Sequence, residues 1–231
     1  MSADTTRPRA LVTGASRGIG AATARALAGT HDVWLGGRDE TALAALSAEL
    51  PGARAWPVDL TDAAALTAAT TGIDRLDVLV HCAGIADIAP LPATSIEVWR
   101  RTMAINVIAV AELTRLLLPA LRARRGRVVL VNSGQGRRAR AGWGAYAASK
   151  FALTAYADVL RAEEESAGLR VTSVFPGRTD TDMQRGVRAA EAGEYDPSRY
   201  LRPESVADAI RFVVDGPPDA AVPELVITPT G

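Results

Sequence analysis

The chain has 231 residues, 48% of them hydrophobic and 23% charged, a balance that suits one large globular α/β domain better than two small ones. Its 26 basic and 26 acidic residues cancel, which leaves no electrostatic footprint for nucleic acid or an anionic membrane surface. A single cysteine, Cys82, excludes an intrachain disulfide, "MSADTTRPR" lacks the apolar core of a secretion signal, and no uncharged apolar run reaches membrane-spanning length, so a cytoplasmic protein is expected.

Residues 1–8 read as a flexible tail. "RALVT" (9–13) reads as the first strand, followed by a glycine-rich turn and the helical "AATARALAG". "DVWLG" (32–36) is the second strand, before the helix "ETALAALSAEL". "ARAWPV" (53–58) is the third, with Pro57 confined to its end. "LDVLVHCAG" (76–84) and "GRVVLVNS" (126–133) are the fourth and fifth, separated by one long helix from about Glu97 to Leu121. A helix over 145–167 precedes the sixth strand, "LRVTSVF" (169–175), and "ELVIT" (224–228) is the seventh. Strands four to six are nearly continuous apolar runs, as central parallel strands covered on both faces must be. The alternation predicts an α/β fold with one doubly wound, seven-stranded parallel sheet, a single domain over 9–231. The least regular segment, 180–203, holds Gly186, Gly193 and Pro197; it follows the carboxyl end of a strand, where ligands bind, and is expected to be a substrate loop.

In the first strand-to-helix turn, "TGASRGIG" (13–20), Gly14, Gly18 and Gly20 let the backbone turn tightly and approach a ligand, while the helix start offers free N–H groups to a phosphate. The spacing is not GxGxxG, and a plain tight turn is the alternative. After the second strand comes "GGRDE". Arg38, with Arg17 from the glycine turn, can converge on a ribose 2′-phosphate, and Asp39 reads as the N-cap of the next helix. NADP(H) is therefore the expected cofactor; two solvated surface arginines are the other reading. Lys150 is the only lysine, and it stands four residues after Tyr146, on the same helix face.

Together these motifs resemble the short-chain dehydrogenase/reductase family over nearly the whole chain. Its TGxxxGxG pattern is matched by "TGASRGIG" and its YxxxK by Tyr146 and Lys150. Ser133 stands 13 residues before the tyrosine, Asn106 lies in "INVIA", Asp59 in "VDLTD", and Pro176 to Thr181 form "PGRTDT". The family's NNAG appears as "HCAG", with His81 and Cys82 in place of two amides that brace the sheet. The resemblance implies a Rossmann fold and hydride transfer between a nicotinamide cofactor and a ketone, an aldehyde or the corresponding secondary alcohol. Tyr146 would be the proton donor or acceptor, its pKa lowered by Lys150, which also bonds the nicotinamide ribose. Ser133 would hold the substrate oxygen, and Asn106 a water that resupplies protons.

Cofactor contacts are then expected from Gly14, Ser16, Arg17, Gly18, Ile19, Gly20, Arg38, Asp59, Leu60, Ala83, Gly84, Tyr146, Lys150, Pro176, Gly177, Thr179 and Thr181, with Asp59 at the adenine. Trp143, Arg178 and Tyr195 are candidate substrate contacts. Arg137, Arg138 and Arg140, between serine and tyrosine, are either a solvated loop or a feature suited to an anionic substrate. No metal site is expected from two histidines and one cysteine. The partner is a small carbonyl or alcohol, and the resemblance implies a homodimer or homotetramer joined through the helices 97–121 and 145–167. Alternatives are an NAD-preferring alcohol dehydrogenase, a non-catalytic dinucleotide-binding regulator, and Schiff-base chemistry at Lys150.

Overall fold

Along β1 (Arg9–Thr13) successive side chains leave opposite faces of the sheet. Ala10 and Val12 join a core under α1 (Gly18–Leu27), α2 (Glu40–Glu49) and α8 (Pro203–Val214). Leu11 joins a second core under α3 (Ala63–Thr70), α5 (Ala109–Arg124) and α6 (Gly144–Glu164). The other strands are β2 (Asp32–Gly37), β3 (Arg54–Pro57), β4 (Val78–His81), β5 (Arg127–Val131), β6 (Arg170–Pro176) and β7 (Glu224–Ile227). All pair in parallel, in the order β3-β2-β1-β4-β5-β6-β7. The computed structural model describes residues 7–230. Strand order reverses between β1 and β4, and the crevice outside their carboxyl ends is where such a sheet binds ligands.

The seven expected strands are all present; β1 has the expected bounds, β2 and β6 each run one residue further at their carboxyl ends, and the remaining ends are the same as expected or up to three residues shorter. Other expectations need correction. Residues 1–6 of the expected tail lie outside the described residues, and Arg7 is tied down, donating to the carbonyls of Ala28 (2.5 Å) and His31 (3.0 Å). The long helix is three pieces: α4 (Ile96–Met103), a π-helical turn over Ala104–Ile108, then α5. The helical run 96–124 would span a bilayer by length and composition, yet Leu113, Leu117 and Leu121 on it are fully buried against the sheet. In 180–203, Thr181 caps a helix, α7 (Asp182–Ala190), by accepting from the Gln184 amide at 3.2 Å. That cap, with Asp182 in the first turn, outweighs the weak helix propensity of Gly186. The short α3, capped by Asp62, and the C-terminal α8, opened by Pro203 with Glu204 in its first turn, were not expected. Asp39 does cap α2, accepting from Ala42 at 3.0 Å.

Candidate active site

The glycine turn is shaped by contacts that leave no room for side chains. Gly14 and Gly18 have φ of 65° and 56°, in the left-handed region. A Cβ on Gly14 would lie 2.9 Å from the Ala83 backbone, and one on Gly20 would overlap the Gly14 carbonyl. The turn therefore packs directly on the loop after β4. Thr13 joins the two: its Oγ1 accepts from the amides of Cys82 (3.1 Å) and Ala83 (3.2 Å). Arg17, at the N-cap of α1, makes no side-chain cap, so the first N–H groups of α1 keep their capacity for an anion. This bare cradle fits the pyrophosphate of a dinucleotide.

Arg17 and Arg38 both project into solvent, with side chains 77% and 73% exposed. Their nearest carboxylates, Asp182 and Asp59, are each 3.9 Å away. Asp59 is held well below the usual carboxylate range, chiefly by hydrogen bonds from the backbone and side chain of Thr61. Leu60 packs on the second core beside it.

A cleft of about 260 Å³ opens at the carboxyl end of the sheet and brings Ser133, Tyr146 and Lys150 together with Ile19, Gly84, Pro176, Gly177, Thr179 and Thr181. Ser133 lies just beyond the end of β5 and caps a short 3-10 turn over Gly134–Gly136. Tyr146 and Lys150 lie one turn apart on the buried face of α6, at 7% and 5% exposure. Asn132 ties β5 to that helix, donating to the Lys150 carbonyl at 3.2 Å and to Thr154 Oγ1 at 3.0 Å.

Burial dominates the electrostatics here. It pushes the Tyr146 phenol above its ordinary pKa, with a hydrogen bond to Ser133 opposing the rise. Burial also lowers the Lys150 ammonium to about 8. Desolvation outweighs the Ser133 hydrogen bond at the phenol, and Lys150 is not among the groups that shift it. Lys150 Nζ lies 5.7 Å from the tyrosine ring centroid and donates to the Val131 carbonyl at 2.9 Å. Asn106, 1% exposed within the π-helical turn, commits its amide to Ile85 N (2.9 Å), Ile85 O (3.0 Å) and Ser149 Oγ (3.0 Å). Its side chain braces the loop after β4 against α6. Burial drives His81 down to about 3 and Cys82 up to about 12, so one is a neutral ring bonded to Thr114 (3.0 Å) and the other an inert thiol.

The substrate candidates separate. Trp143 lines the cleft and packs on Tyr146, centroids 5.6 Å apart. Arg178 lines it too, but its guanidinium is bound in two bonds to Glu191, at 2.8 and 2.7 Å. Tyr195 is not among the lining residues; its hydroxyl donates to Asp180 and its ring packs on Tyr200 at 5.0 Å. The hydroxyls of Thr179 and Thr181 donate to the carbonyls of Gly177 and Thr179. Gln135, Met183, Gln184 and Val187 also line the cleft and were not foreseen. The last three share one face of α7, a signal hidden because the segment read as a loop.

A model of the short chain dehydrogenase family matches residues 8–192. The chain is 38% identical to a glycine betaine reductase of Emericella nidulans over 95% of its own length, and spans 18% of that protein. It is 33% identical to the 2,3-dihydro-2,3-dihydroxybenzoate dehydrogenase of Bacillus subtilis, covering 90% of this chain and 88% of that one. An alcohol dehydrogenase from the archaeon Thermococcus sibiricus, solved in complex with 5-hydroxy-NADP, superposes with a TM-score of 0.87 at 26% identity, over 96% and 97% of the two chains.

Proposed function

This chain belongs to the short-chain dehydrogenase/reductase family of oxidoreductases, and from that premise we propose that it uses NADP(H) to reduce a ketone or aldehyde, or to oxidise the matching secondary alcohol. The observation that carries the reading is the convergence of Ser133, Tyr146 and Lys150 in one cleft that also borders the glycine turn at Ile19. When bound, the cofactor supplies or accepts the hydride and, oxidised, adds a positive charge beside the phenol.

In the reducing direction the carbonyl oxygen becomes negative and takes one proton. Ser133 donates a hydrogen bond to that oxygen, and Tyr146 gives up its phenolic proton to it. A phenol is protonated at neutral pH and so carries the proton to be given, while burial, which raises the Tyr146 pKa, makes the cation of Lys150 necessary for its release. Lys150, still mostly ammonium at pH 7, stabilises the phenolate left behind. Trp143 forms an apolar wall against which the substrate carbonyl is steered.

The preference for NADP(H) is supported by two exposed guanidiniums at the ends of the glycine turn and of β2, each only loosely paired and able to swing onto a 2′-phosphate. The archaeal alcohol dehydrogenase was solved with an NADP derivative, in keeping with this. The carboxylates of Asp59 and Asp182 favour the second reading, NAD, to the extent that they retain the two arginines.

Loss of reduced-nicotinamide absorbance with NADPH or NADH and a panel of ketones and aldehydes tests the proposal. Tyr146→Phe should lower kcat by about 10²–10⁴-fold with cofactor affinity retained. Equal rates for variant and wild type would remove the tyrosine from the chemistry.

A further inference from the structure

Arg138 and Arg140 lie on the connection from β5 to α6, between Ser133 and Tyr146, and both line the same cleft. Their backbone is anchored: the Arg138 amide donates to the Gly134 carbonyl (3.0 Å), and the Arg140 amide to Oε1 of the buried Gln135 (3.1 Å). Their guanidiniums are not. Among the described residues neither makes a hydrogen bond or an ion pair, whereas neighbouring Arg137 faces Glu224 at 3.8 Å and Arg178 is held by Glu191. Among the described residues, no aspartate or glutamate lines the cleft. Across from them, on α7, Gln184 is 8% exposed and its amide nitrogen has no partner.

A concave site lined by one sign of charge focuses its field on the ligand, and a guanidinium fork matches the two oxygens of a carboxylate. The cofactor phosphates do not account for these two arginines. Those phosphates have the uncapped start of α1 at Arg17 to bind, and Arg138 and Arg140 belong to the Ser133–Tyr146 connection. We propose that the substrate is a carbonyl compound bearing a carboxylate, held by Arg138 and Arg140 while its ketone or aldehyde faces Ser133 and Tyr146. This deepens the oxidoreductase reading above and rests on it.

The test is calorimetric binding of 4-formylbenzoate and of its methyl ester to enzyme loaded with NADP⁺, where no reduction can run. Wild type is compared with the Arg138→Gln/Arg140→Gln double variant, whose unchanged NADP⁺ affinity reports an intact fold. The acid should bind wild type at least roughly tenfold more tightly than the ester, as expected for charge-assisted hydrogen bonds, and this preference should vanish in the variant. A wild type without that preference, or a variant that keeps it, overturns the proposal. Turnover of the same compounds with NADPH is read separately. An acid preference in binding without any NADPH consumption would remove the proposed carbonyl chemistry on this aldehyde and leave the anion site standing. Equal reduction and equal binding of acid and ester would do the opposite.

Discussion

The two walls of the cleft are held by different means. Under the glycine turn the wall is backbone, fixed by the close approach of Gly14 to Ala83 and of Gly20 to Gly14, with Thr13 bonding both sides. Across the cleft, residues 178–200 hold their shape through charge pairs. Glu191 takes both Arg178 and Arg188, and Asp180 takes Arg185 and Tyr195. A wall made of close backbone contacts has no second arrangement of similar energy, whereas ion pairs that are partly open to water can part and re-form. The difference suits the proposed function, in which one wall would bind an unvarying pyrophosphate and the other would admit a substrate and release a product.

The sharpest way to break this contrast is a methyl group. In Gly20→Ala the new Cβ would overlap the Gly14 carbonyl, which must move, and the anion cradle with it. We expect NADPH affinity to fall by at least about 100-fold and stability by roughly 1–3 kcal/mol, as for overpacking. Gly29→Ala is the control, since a Cβ there meets nothing within 4 Å. Equal cofactor affinity in the two variants, measured by fluorescence titration, would show that the turn tolerates repacking.

The same contrast explains what could be read in advance. Gly14 and Gly20 were legible because a backbone requirement selects one residue type, and that choice is written locally. Tyr146 and Lys150 were legible because one helical turn fixes their spacing, and Ser133 through the family resemblance, which places a serine 13 residues before the tyrosine. Other features depend on contacts between segments far apart in sequence. Thr13 reaches across the sheet to the turn after β4, and the Arg178–Glu191 pair forms only once α7 exists. The π-helical turn around Asn106 is set by Ile85 and Ser149, 21 and 43 residues away. Nor could the direction of the tyrosine shift be read, because it turns on how deeply the phenol is buried.

His81 lets the backbone wall be weakened by acid. It sits cross-strand from Thr13, the residue that ties the glycine turn to the loop after β4. In the unfolded chain the ring titrates near 6.5, and in the folded protein near 3, because burial excludes the charged form. The unfolded state therefore binds the extra proton between those values, and the contribution of the neutral ring, complete above pH 6.5, is lost as pH falls towards 3. Between pH 6.5 and pH 4 this site should cost about 3 kcal/mol. Urea unfolding of wild type and His81→Asn across that range checks it. The variant, with nothing to titrate there, should show a shallower acid decline by that amount, and parallel curves would exclude His81 as the source.

The smallest expected effect belongs to the charge-paired wall. Glu191→Gln leaves a hydrogen-bonding group in place but removes the charge that holds Arg178 and Arg188 together. These side chains are 21–31% exposed, so solvent screens the pair and no large loss of stability follows. The released Arg178 guanidinium would instead reach the cleft it already lines, as a third unpaired arginine. For a carboxylate-bearing substrate KM should fall by about three- to tenfold with kcat nearly constant, the signature of altered binding without altered chemistry. Hydrogen exchange over residues 178–200 should quicken in the variant while that of the glycine turn stays the same. Acceleration in both segments would mean that the two walls move as one, and the distinction between a backbone wall and a paired wall would fail.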